Sequence, residues 1–337
     1  MPENTMKTPK IDLKDRRILA ALDMDARMPI TILAKKVGLS RQVVEYRLNR
    51  LKKENVIFGA KGVFDSVVVG QKWYRVLFRL ADITQEKKDE LVNFLHNQHK
   101  LFWLGETGGN WDLIMNFICK DHYEFNKIFE TIISDFGNTI MDYEILIYID
   151  VHDQSRAYIL GENNNLQQVR QEFYHQMKEL SNYKLDELDK NIIHELGNDA
   201  LISNLEIAQK YNVSANTIKN RIDEMRKSNL LLGYRMFINP RVFGMQNHIL
   251  FFEITKLNLE REKEFYNYLA TIPYITFIVK HIGKWRIGME VETKTVEDFQ
   301  NIFVAIRSKF KDIINGFESF PLFKDETINY FPRGCLG

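Results

Sequence analysis

Residues 12–40 of this chain are DLKDRRILAALDMDARMPITILAKKVGLS, and residues 186–214 are DELDKNIIHELGNDALISNLEIAQKYNVS. The two stretches align without a gap at an offset of 174 residues, and the alignment continues far beyond them. The offset pairs Ser40 with Ser214, Arg47 with Arg221, Gly70 with Gly244, Trp111 with Trp285 and Phe136 with Phe310. A solenoid unit has about 20–50 residues, so this period is too long for one. The sequence therefore predicts a duplicated module, one copy ending near Asp150 and the other starting near Tyr183.

The composition is that of a packed intracellular protein. The chain has 337 residues, 45% of them hydrophobic, and its 46 Lys and Arg nearly balance 45 Asp and Glu, which excludes a uniformly basic protein. Two cysteines, Cys119 and Cys335, are too few for a disulfide framework. The sequence shows no apolar signal segment and no run of about 18 apolar residues. We therefore expect a cytoplasmic protein with no membrane partner.

The connector between the copies contains the polar stretch GENNNLQQ, which is typical of a loop. After it, apolar residues recur at steps of three and four, which predicts a connecting helix. These residues are Leu166, Val169, Phe173, Met177 and Leu180. We expect the helix to join the two halves without a regulatory role.

Each copy begins with a pattern that predicts a winged helix-turn-helix. Apolar spacing predicts helices over residues 14–22 and 30–37, and Ser40 is placed to cap a third helix. Residues 56–64, with a turn at Gly59, then predict a hairpin that forms the wing. The second copy repeats the pattern.

The outward side chains of the third helix are the candidates for DNA contact. Those near its amino end are placed to meet base edges, and the later Arg and Lys residues suit phosphates. The candidates are Ser40, Arg41, Gln42, Tyr46, Arg47, Arg50, Lys52 and Lys53 in copy one, and Asn216, Thr217, Lys219, Asn220 and Arg221 in copy two. Charges on a single helix are usually its solvated face, but here cap, turn and wing occur together twice, which favours DNA binding.

The charge is divided unequally between the copies. Residues 10–62 carry 13 Lys and Arg against 6 Asp and Glu, a net charge of +7, whereas residues 184–241 carry 9 against 8, a net charge of +1. The rest of the chain therefore has a net charge of −7. Phosphate contacts supply most non-specific affinity for DNA, so we expect copy one to bind DNA more strongly than copy two.

The second part of each copy has the order strand, helix, strand, strand, helix, strand. This order predicts a ferredoxin-like βαββαβ domain, and the fold class is α+β, a tandem repeat of a winged helix-turn-helix and this domain. One sheet face, carrying Tyr74, Phe102 or Trp103, needs a cover, and the second copy can supply it within the same chain. The predicted domains are helix-turn-helix domains at 10–66 and 183–240, effector domains at 67–152 and 241–330, and a linker at 153–182.

The order of domains and three motifs resemble the leucine-responsive/AsnC (Lrp/AsnC) family of prokaryotic transcription regulators. The motifs are D-x-x-D-x-x-I-[LI] from Asp12 and from Asp186, the turn at residues 25–27, and K-x-V-G-L-S at residues 35–40. The resemblance covers nearly the whole chain. It implies double-stranded DNA as a partner, an internal pseudo-dimer of the two effector (RAM) domains, and further homo-oligomers.

The resemblance also implies that an amino acid or similar small molecule binds near a Gly-rich turn between the second and third effector strands. Copy one keeps this turn, and its candidate ligand-binding residues are Thr107, Gly108, Gly109 and Asp112. Turn N–H groups can hold a carboxylate while Asp112 takes an ammonium group, although a plain hairpin turn explains the same residues. Copy two has Arg286 in place of this Asp, so we expect its site to be lost or to take a more acidic ligand.

Two other functions fit the sequence less well. Siroheme decarboxylases resemble this family and are marked by a His-Asn-Tyr-Arg-like stretch, but the corresponding segments here are LFWLGETGG and ITFIVKHIG. Lys280 and His281 alone do not form that motif. The second alternative is a DNA-organising protein without an effector. We expect no enzyme, and accordingly no catalytic residue, cofactor or metal site, because the other histidines lack metal-ligand spacing and no nucleotide-binding motif occurs.

Overall fold

The structure is a computed structural model that describes residues 9–81, 84–161, 171–176, 183–255, 259–328 and 330–336. In chain order, copy one contains α1 (Leu13–Leu22), α2 (Ile30–Val37), α3 (Arg41–Lys53), β1 (Ile57–Phe64), β2 (Lys72–Leu80), α4 (Gln85–His96), β3 (Leu101–Thr107), β4 (Leu113–Cys119), α5 (His122–Phe136) and β5 (Ile140–Gln154). The connector contributes β6 (Glu172–Gln176).

Copy two repeats this order. It contains α6 (Glu187–Asn198), α7 (Asn204–Lys210), α8 (Ala215–Lys227), β7 (Leu231–Ile238), β8 (Gln246–Ile254), α9 (Leu259–Thr271), β9 (Ile275–Ile282), β10 (Ile287–Thr293), α10 (Val296–Lys309) and β11 (Ile314–Ile328). The predicted α+β fold and the duplication are therefore confirmed. None of the helices in the described ranges is long and apolar enough to cross a membrane.

Polar side chains fix the ends of the helices that form the two DNA-binding heads, α1–α3 and α6–α8. Asp12 accepts a hydrogen bond from the Asp15 amide, and Asp15 accepts one from the Asp12 amide, which is a reciprocal cap for α1. Asp186 and Asp189 repeat this cap on α6. Gly38, with φ of 69°, ends α2 in the left-handed conformation that glycine adopts without strain. The helix-turn-helix is thus specified locally in each copy.

The predicted wing hairpins are wrong. Residues 57–64 form one continuous strand, β1, which pairs antiparallel with β7 of the other copy, and Lys61 lies opposite Arg235 at the centre. Gly59, with φ of 140°, marks a register shift in β1 and makes no turn. We call this two-stranded sheet the ribbon. A lone two-stranded hairpin is marginally stable, whereas the ribbon buries Val63 and Phe64 in the core shared by both copies.

The eight effector-domain strands close into a barrel. Within copy one the order is β5-β2-β4-β3, and within copy two it is β11-β8-β10-β9, as a ferredoxin-like domain requires. Between the copies, β3 pairs with β11 and β5 pairs with β9. The expected internal pseudo-dimer is therefore present, and its strands are hydrogen-bonded across both seams. Closure leaves few open strand edges, because each domain covers the edges of the other.

Three apolar cores correspond to this arrangement. One lies inside the barrel and continues into the heads, and the other two lie between the sheet of each copy and its helices. Phe102 and Trp103 lie in the first core, as predicted. Tyr74 does not, because it faces the helices and stacks on Phe125 at 4.3 Å between ring centroids. Adjacent strand residues point to opposite faces, so the inward neighbour is Trp73.

The connector differs from the predicted helix at residues 172–176. This segment is strand β6, which pairs antiparallel with β5. Phe173 and His175 are buried while Tyr174 between them is exposed, which is the period of a strand. The apolar steps that suggested a helix involve Leu166, Val169, Met177 and Leu180, and these lie outside the described residues.

Candidate nucleic-acid interface and ligand cavities

Helix α3 presents a polar outer face in front of the head. Gln42 and Tyr46 are exposed, and 70% of the surface of Tyr46 is accessible. Lys52 and Lys53 are exposed in its last turn. Ser40, listed among the DNA-contact candidates, accepts the Val43 amide at 3.3 Å and therefore acts as the predicted cap. The first and last turns of α3 thus offer different groups, amide and phenol at one end and cations at the other.

Two of the predicted phosphate contacts are engaged inside the head. Arg47 Nη1 lies 2.8 Å from both Asp12 and Asp15, and Arg50 Nη2 lies 2.5 Å from Asp15. The Asp15 carboxylate is fully buried, so these pairs hold α3 against α1. Burial opposes ionisation of Asp12, but the Asp15 amide and Arg47 outweigh it and hold the pKa of Asp12 at about 2.

Copy two repeats this clamp. Arg221 pairs with Asp186 at 2.8 Å and with buried Asp189 at 3.3 Å. The D-x-x-D motif that identifies the family is therefore the acidic half of a helix-to-helix clamp. Its sequence signal is the recurrence of both aspartates and the arginine at one offset, and sequence reasoning missed it by assigning the arginines to DNA.

The remaining candidates divide into paired and open groups. Arg41 pairs with Glu45 at 2.8 Å on the exposed face of α3. Copy two has fewer cations on the same face. On α8 the outward side chains are Asn216, Lys219 and Asn220, while Thr217 shares a 2.8 Å hydrogen bond with the cap Ser214.

The two heads are joined through the ribbon. Tyr234 of β7 lies between two guanidinium groups, with Arg27 at 5.0 Å and Arg226 at 5.2 Å from its ring centroid. Its carbonyl accepts the Ala26 amide at 2.9 Å. Arg27 also donates to Asn204 at 3.0 Å, so a side chain of head one reaches α7 of head two. The spacing of the heads is therefore set by the fold of one chain.

A buried ion network joins the ribbon to the barrel. Arg235 of β7 pairs with Asp153 of β5 at 2.8 Å, and Arg156 pairs with Glu292 of β10 at 3.2 Å. Tyr158 donates a short hydrogen bond to Glu292. Burial raises the pKa of Asp153 even though Arg235 lies beside it. These residues carry no shared motif, so the sequence offered no signal for the network.

The predicted ligand turn lies at the barrel end far from the heads. The Thr107 hydroxyl donates to the Trp111 carbonyl at 2.7 Å, and the Gly108 amide donates to Pro321 at 3.2 Å. Asp112 accepts the Leu80 amide at 2.7 Å. Gly109, with φ of 96°, allows the turn. These groups hold the turn in place, and they do not line the cavities described next.

A small pocket of about 290 Å³ lies beside this turn and the corresponding turn of copy two. Its charged and aromatic walls are Arg79, Trp111, Asp142, Lys284, Trp285 and Glu318. Glu318 accepts hydrogen bonds from Asn110 at 2.6 Å and from Trp111 at 3.1 Å. Both signs of charge are thus present in a pocket at the lower end of the roughly 300–1,000 Å³ typical of small-molecule sites.

A larger cavity of about 1270 Å³ lies between the ribbon and the barrel. Trp103, Phe277 and Tyr330 form part of its apolar wall, and Glu290 and Asp325 lie at its floor. Burial, reinforced by the neighbouring Asp325 charge, raises the pKa of Glu290 to about 7. The motif search did not find this cavity, because its walls come from both copies.

The middle of the barrel is filled by polar side chains behind that floor. Arg75 donates to Asn116 at 3.0 Å and lies 5.1 Å from the ring of Tyr148. His281, the histidine of the decarboxylase-like comparison, is fully buried against Tyr148. Burial, together with the Arg75 charge, holds the pKa of His281 well below its ordinary value, so it is neutral. Lys280 points outward and pairs with Glu262.

Comparison with known proteins identifies the repeated domain. A family model of the AsnC-type helix-turn-helix domain matches residues 11–52 and again residues 185–226. The proline dehydrogenase transcriptional activator of Rhizobium radiobacter is 40% identical over 128 residues, which cover 37% of this chain and 81% of that protein. The transcriptional regulator FL11 of Pyrococcus horikoshii is 29% identical over 124 residues, 37% of this chain and 81% of that protein.

One solved structure is similar over both copies. The siroheme decarboxylase NirDL has a TM-score of 0.63 to this chain at 14% sequence identity, and the similarity covers 96% of each chain. At this identity the similarity concerns the tandem fold alone. The curated relatives, by contrast, match at the level of sequence and cover most of their own length. The chain belongs to the leucine-responsive/AsnC family of transcription regulators, as a tandem duplicate of the family module.

Proposed function

We propose that the chain is a sequence-specific regulator that binds double-stranded DNA mainly through head one. The exposed outer face of α3 carries this proposal: Gln42 and Tyr46 stand at its amino end and Lys52 and Lys53 at its last turn. In this scheme the first pair meets base edges and the second pair meets phosphates. Arg47 and Arg50 act indirectly, because their ion pairs fix the angle of α3 on α1.

Head two has a secondary role in this proposal. Its third helix, α8, offers Asn216 and Asn220 but fewer cations, and its domain carries a net charge of +1 against +7 for head one. The ribbon fixes head two beside head one, so weak contacts by α8 add to those of α3 without a further cost of association. Head two thereby orients the molecule on the duplex.

The test compares two lysines in the intact chain, because separated copies lose the ribbon and both barrel seams. Lys53→Ala should weaken DNA binding and reduce the slope of log affinity against log salt by about 0.9, the value for one lost phosphate contact. Lys219→Ala, the matched change on α8, should alter both quantities less. The measurement is fluorescence anisotropy with a selected DNA site at several salt concentrations. Equal effects of the two substitutions would contradict the unequal roles of the heads.

We further propose that an amino acid modulates DNA binding from the pocket between the two effector turns. Lys284 and Arg79 suit its carboxylate, and Glu318 and Asp142 suit its ammonium group. Thr107, Gly108, Gly109 and Asp112 then act by shaping the turn that carries Asn110 and Trp111. This keeps the predicted location and moves the ligand contacts to neighbouring side chains.

Selection of bound DNA from a genomic library, with and without pooled amino acids, tests the effector. A response to one amino acid should be lost in Glu318→Gln and in Asp112→Asn, because the first removes a charge from the pocket and the second weakens the turn. Glu130→Gln, an exposed change on α5, is the control. An unchanged response in both variants would refute the site, and broad DNA coverage with no response would favour the DNA-organising alternative.

The decarboxylase alternative has its own measurement. A tetrapyrrole that binds the intact chain shifts its visible absorption, so titration with an iron porphyrin carboxylate separates this alternative from a regulator. We expect no saturable shift, because Glu290 and Asp325 place negative charge on the floor of the large cavity. A stoichiometric shift would favour the enzyme.

A further inference from the structure

The pseudo-twofold arrangement creates two equivalent grooves beside the ribbon. At an offset of 174 residues, strand β5 corresponds to β11, and each runs past the end of its inner neighbour, β2 or β8. The pairing of β5 with β2 ends at Ile147–Tyr74, and that of β11 with β8 ends at Leu322–Asn247. Beyond these points each long strand presents one edge to a groove.

Strand β6 fills the first groove. It pairs with residues 150–154 of β5, with Val151 opposite His175 and Asp153 opposite Phe173. Phe173 lies against Gly233 of the ribbon, where an added Cβ would be 2.5 Å from its ring. His175 packs against Trp73, with 5.1 Å between the rings. A five-residue strand therefore occupies this groove by backbone pairing and by two inward side chains.

The second groove is the large cavity. Its edge is residues 324–328 of β11, and no strand in the described ranges continues the ladder there. Gly59, the counterpart of Gly233, lines this cavity, and a Cβ built on it meets no described atom within 4 Å. The space that Phe173 occupies in the first groove is thus open in the second.

Two further features of the second groove suit a protein segment. Asn247, the counterpart of Trp73, has a buried Oδ1 without a hydrogen-bond partner among the described residues. Phe58 and Phe323 line the cavity and remain 65% and 57% exposed. An exposed aromatic pair beside an open strand edge is a surface that soluble proteins normally cover.

We propose that this groove binds an extended segment of a partner protein, which pairs antiparallel with residues 324–328 as β6 pairs with β5. The segment carries an aromatic side chain against Gly59 and, two residues later, a hydrogen-bond donor directed at Asn247. Lys52 and Arg241 at the cavity wall favour acidic residues at its flank. Backbone pairing gives affinity and the alternate side chains give specificity, as in other strand-addition complexes.

The test uses a fluorescein-labelled peptide with the sequence of residues 171–176, QEFYHQ, added to the intact chain. Anisotropy should show saturable binding in the micromolar range, and the peptide QEAYHQ should bind at least tenfold more weakly. Asn247→Leu and Phe58→Ala should each weaken binding about tenfold, as expected when a buried acceptor or an exposed apolar contact is removed. Tyr123→Ala, which removes another exposed aromatic side chain on α5, is the matched control and should have no effect.

Hydrogen exchange locates the bound peptide. Amides of residues 324–328 should be protected on binding, whereas protection confined to residues 150–154 would mean exchange with β6 and would overturn the proposal. Absence of saturable binding, or binding insensitive to both groove variants, would also overturn it and favour a small-molecule role for the cavity. Unchanged melting temperatures of the variants exclude misfolding. DNA binding is measured separately, so its failure would not affect this result.

Discussion

At the scale of single residues, the buried carboxylate of Asp15 decides how α3 is held. It lies between Arg47 and Arg50, and Asp12 completes the pair at the surface. A carboxylate removed from water needs such partners, since an unpaired buried charge is strongly destabilising. The same constraint acts on Asp189 and Arg221, which explains why both copies carry these residues.

Arg47→Ala should therefore act on stability before it acts on DNA. Asp15 keeps Arg50 as a partner, so we expect a loss of roughly 1–3 kcal/mol in the free energy of unfolding. Lys53→Ala on the same helix should leave stability within about 0.5 kcal/mol, because it is an exposed change. Urea unfolding followed by circular dichroism measures both. A stable Arg47→Ala protein would show that the clamp is dispensable.

Glu290 gives a pH dependence to the large cavity. Its ordinary pKa is 4.5, and burial together with Asp325 raises it to about 7 in the folded chain. The folded state therefore holds an extra proton between these values, and the contribution of Glu290 to stability falls as pH rises through this window.

Glu290→Gln cannot ionise, so it should gain stability relative to the native chain at pH 8, by roughly 1–3 kcal/mol. At pH 4, where both side chains are neutral, the two proteins should melt alike. Calorimetry at both pH values is the measurement, with Glu130→Gln as a surface control. A pH-independent difference would mean that Glu290 titrates normally.

At the scale of elements, the helices were predictable and the ribbon was not. Asp12, Gly38 and Ser40 specify helix ends through contacts within a few residues, so their pattern is visible in the sequence. The partner of β1 lies 174 residues away, and Gly59 suits a turn as well as a register shift in a strand. The strand β6 was missed for a related reason, because its pairing with β5 overrode a weak helical spacing.

Tyr234 tests the ribbon as an element that braces both heads. Tyr234→Ala should reduce stability by roughly 3–5 kcal/mol, because it removes a buried ring held between Arg27 and Arg226. Tyr234→Phe keeps the ring and loses only a long hydrogen bond of 3.5 Å to Arg27, so it should cost less than about 1 kcal/mol. Thermal unfolding distinguishes them. A similar loss in both variants would mean that the hydroxyl, and not the ring, matters.

At the scale of the whole molecule, the repeat predicted two modules and their internal pairing. It did not predict barrel closure or the large cavity, since both depend on which strand edges meet. The predicted ligand turn remains a proposal. The charge partition survives as the reason to assign DNA binding to head one, although two of the arginines counted there serve the clamp.

Separated copies should show how far each depends on the other. Copy one alone, residues 9–161, lacks the partners of β1, β3 and part of β5, and unpaired edges associate readily. We expect it to dimerise or precipitate, while addition of residues 171–336 should yield a soluble one-to-one complex. Light scattering after gel filtration measures both. A stable monomer of copy one would contradict this dependence.

The ribbon has a further consequence for how the molecule meets a duplex. Two identical heads related by a twofold axis match a palindrome, because each reads the same half-site in opposite directions. Here β1 and β7 hold two unlike heads side by side in one covalent chain. The matching DNA site is then non-palindromic, and the bound protein has a polarity. Such a complex can face upstream or downstream, so the orientation of its site along the genome becomes information in itself.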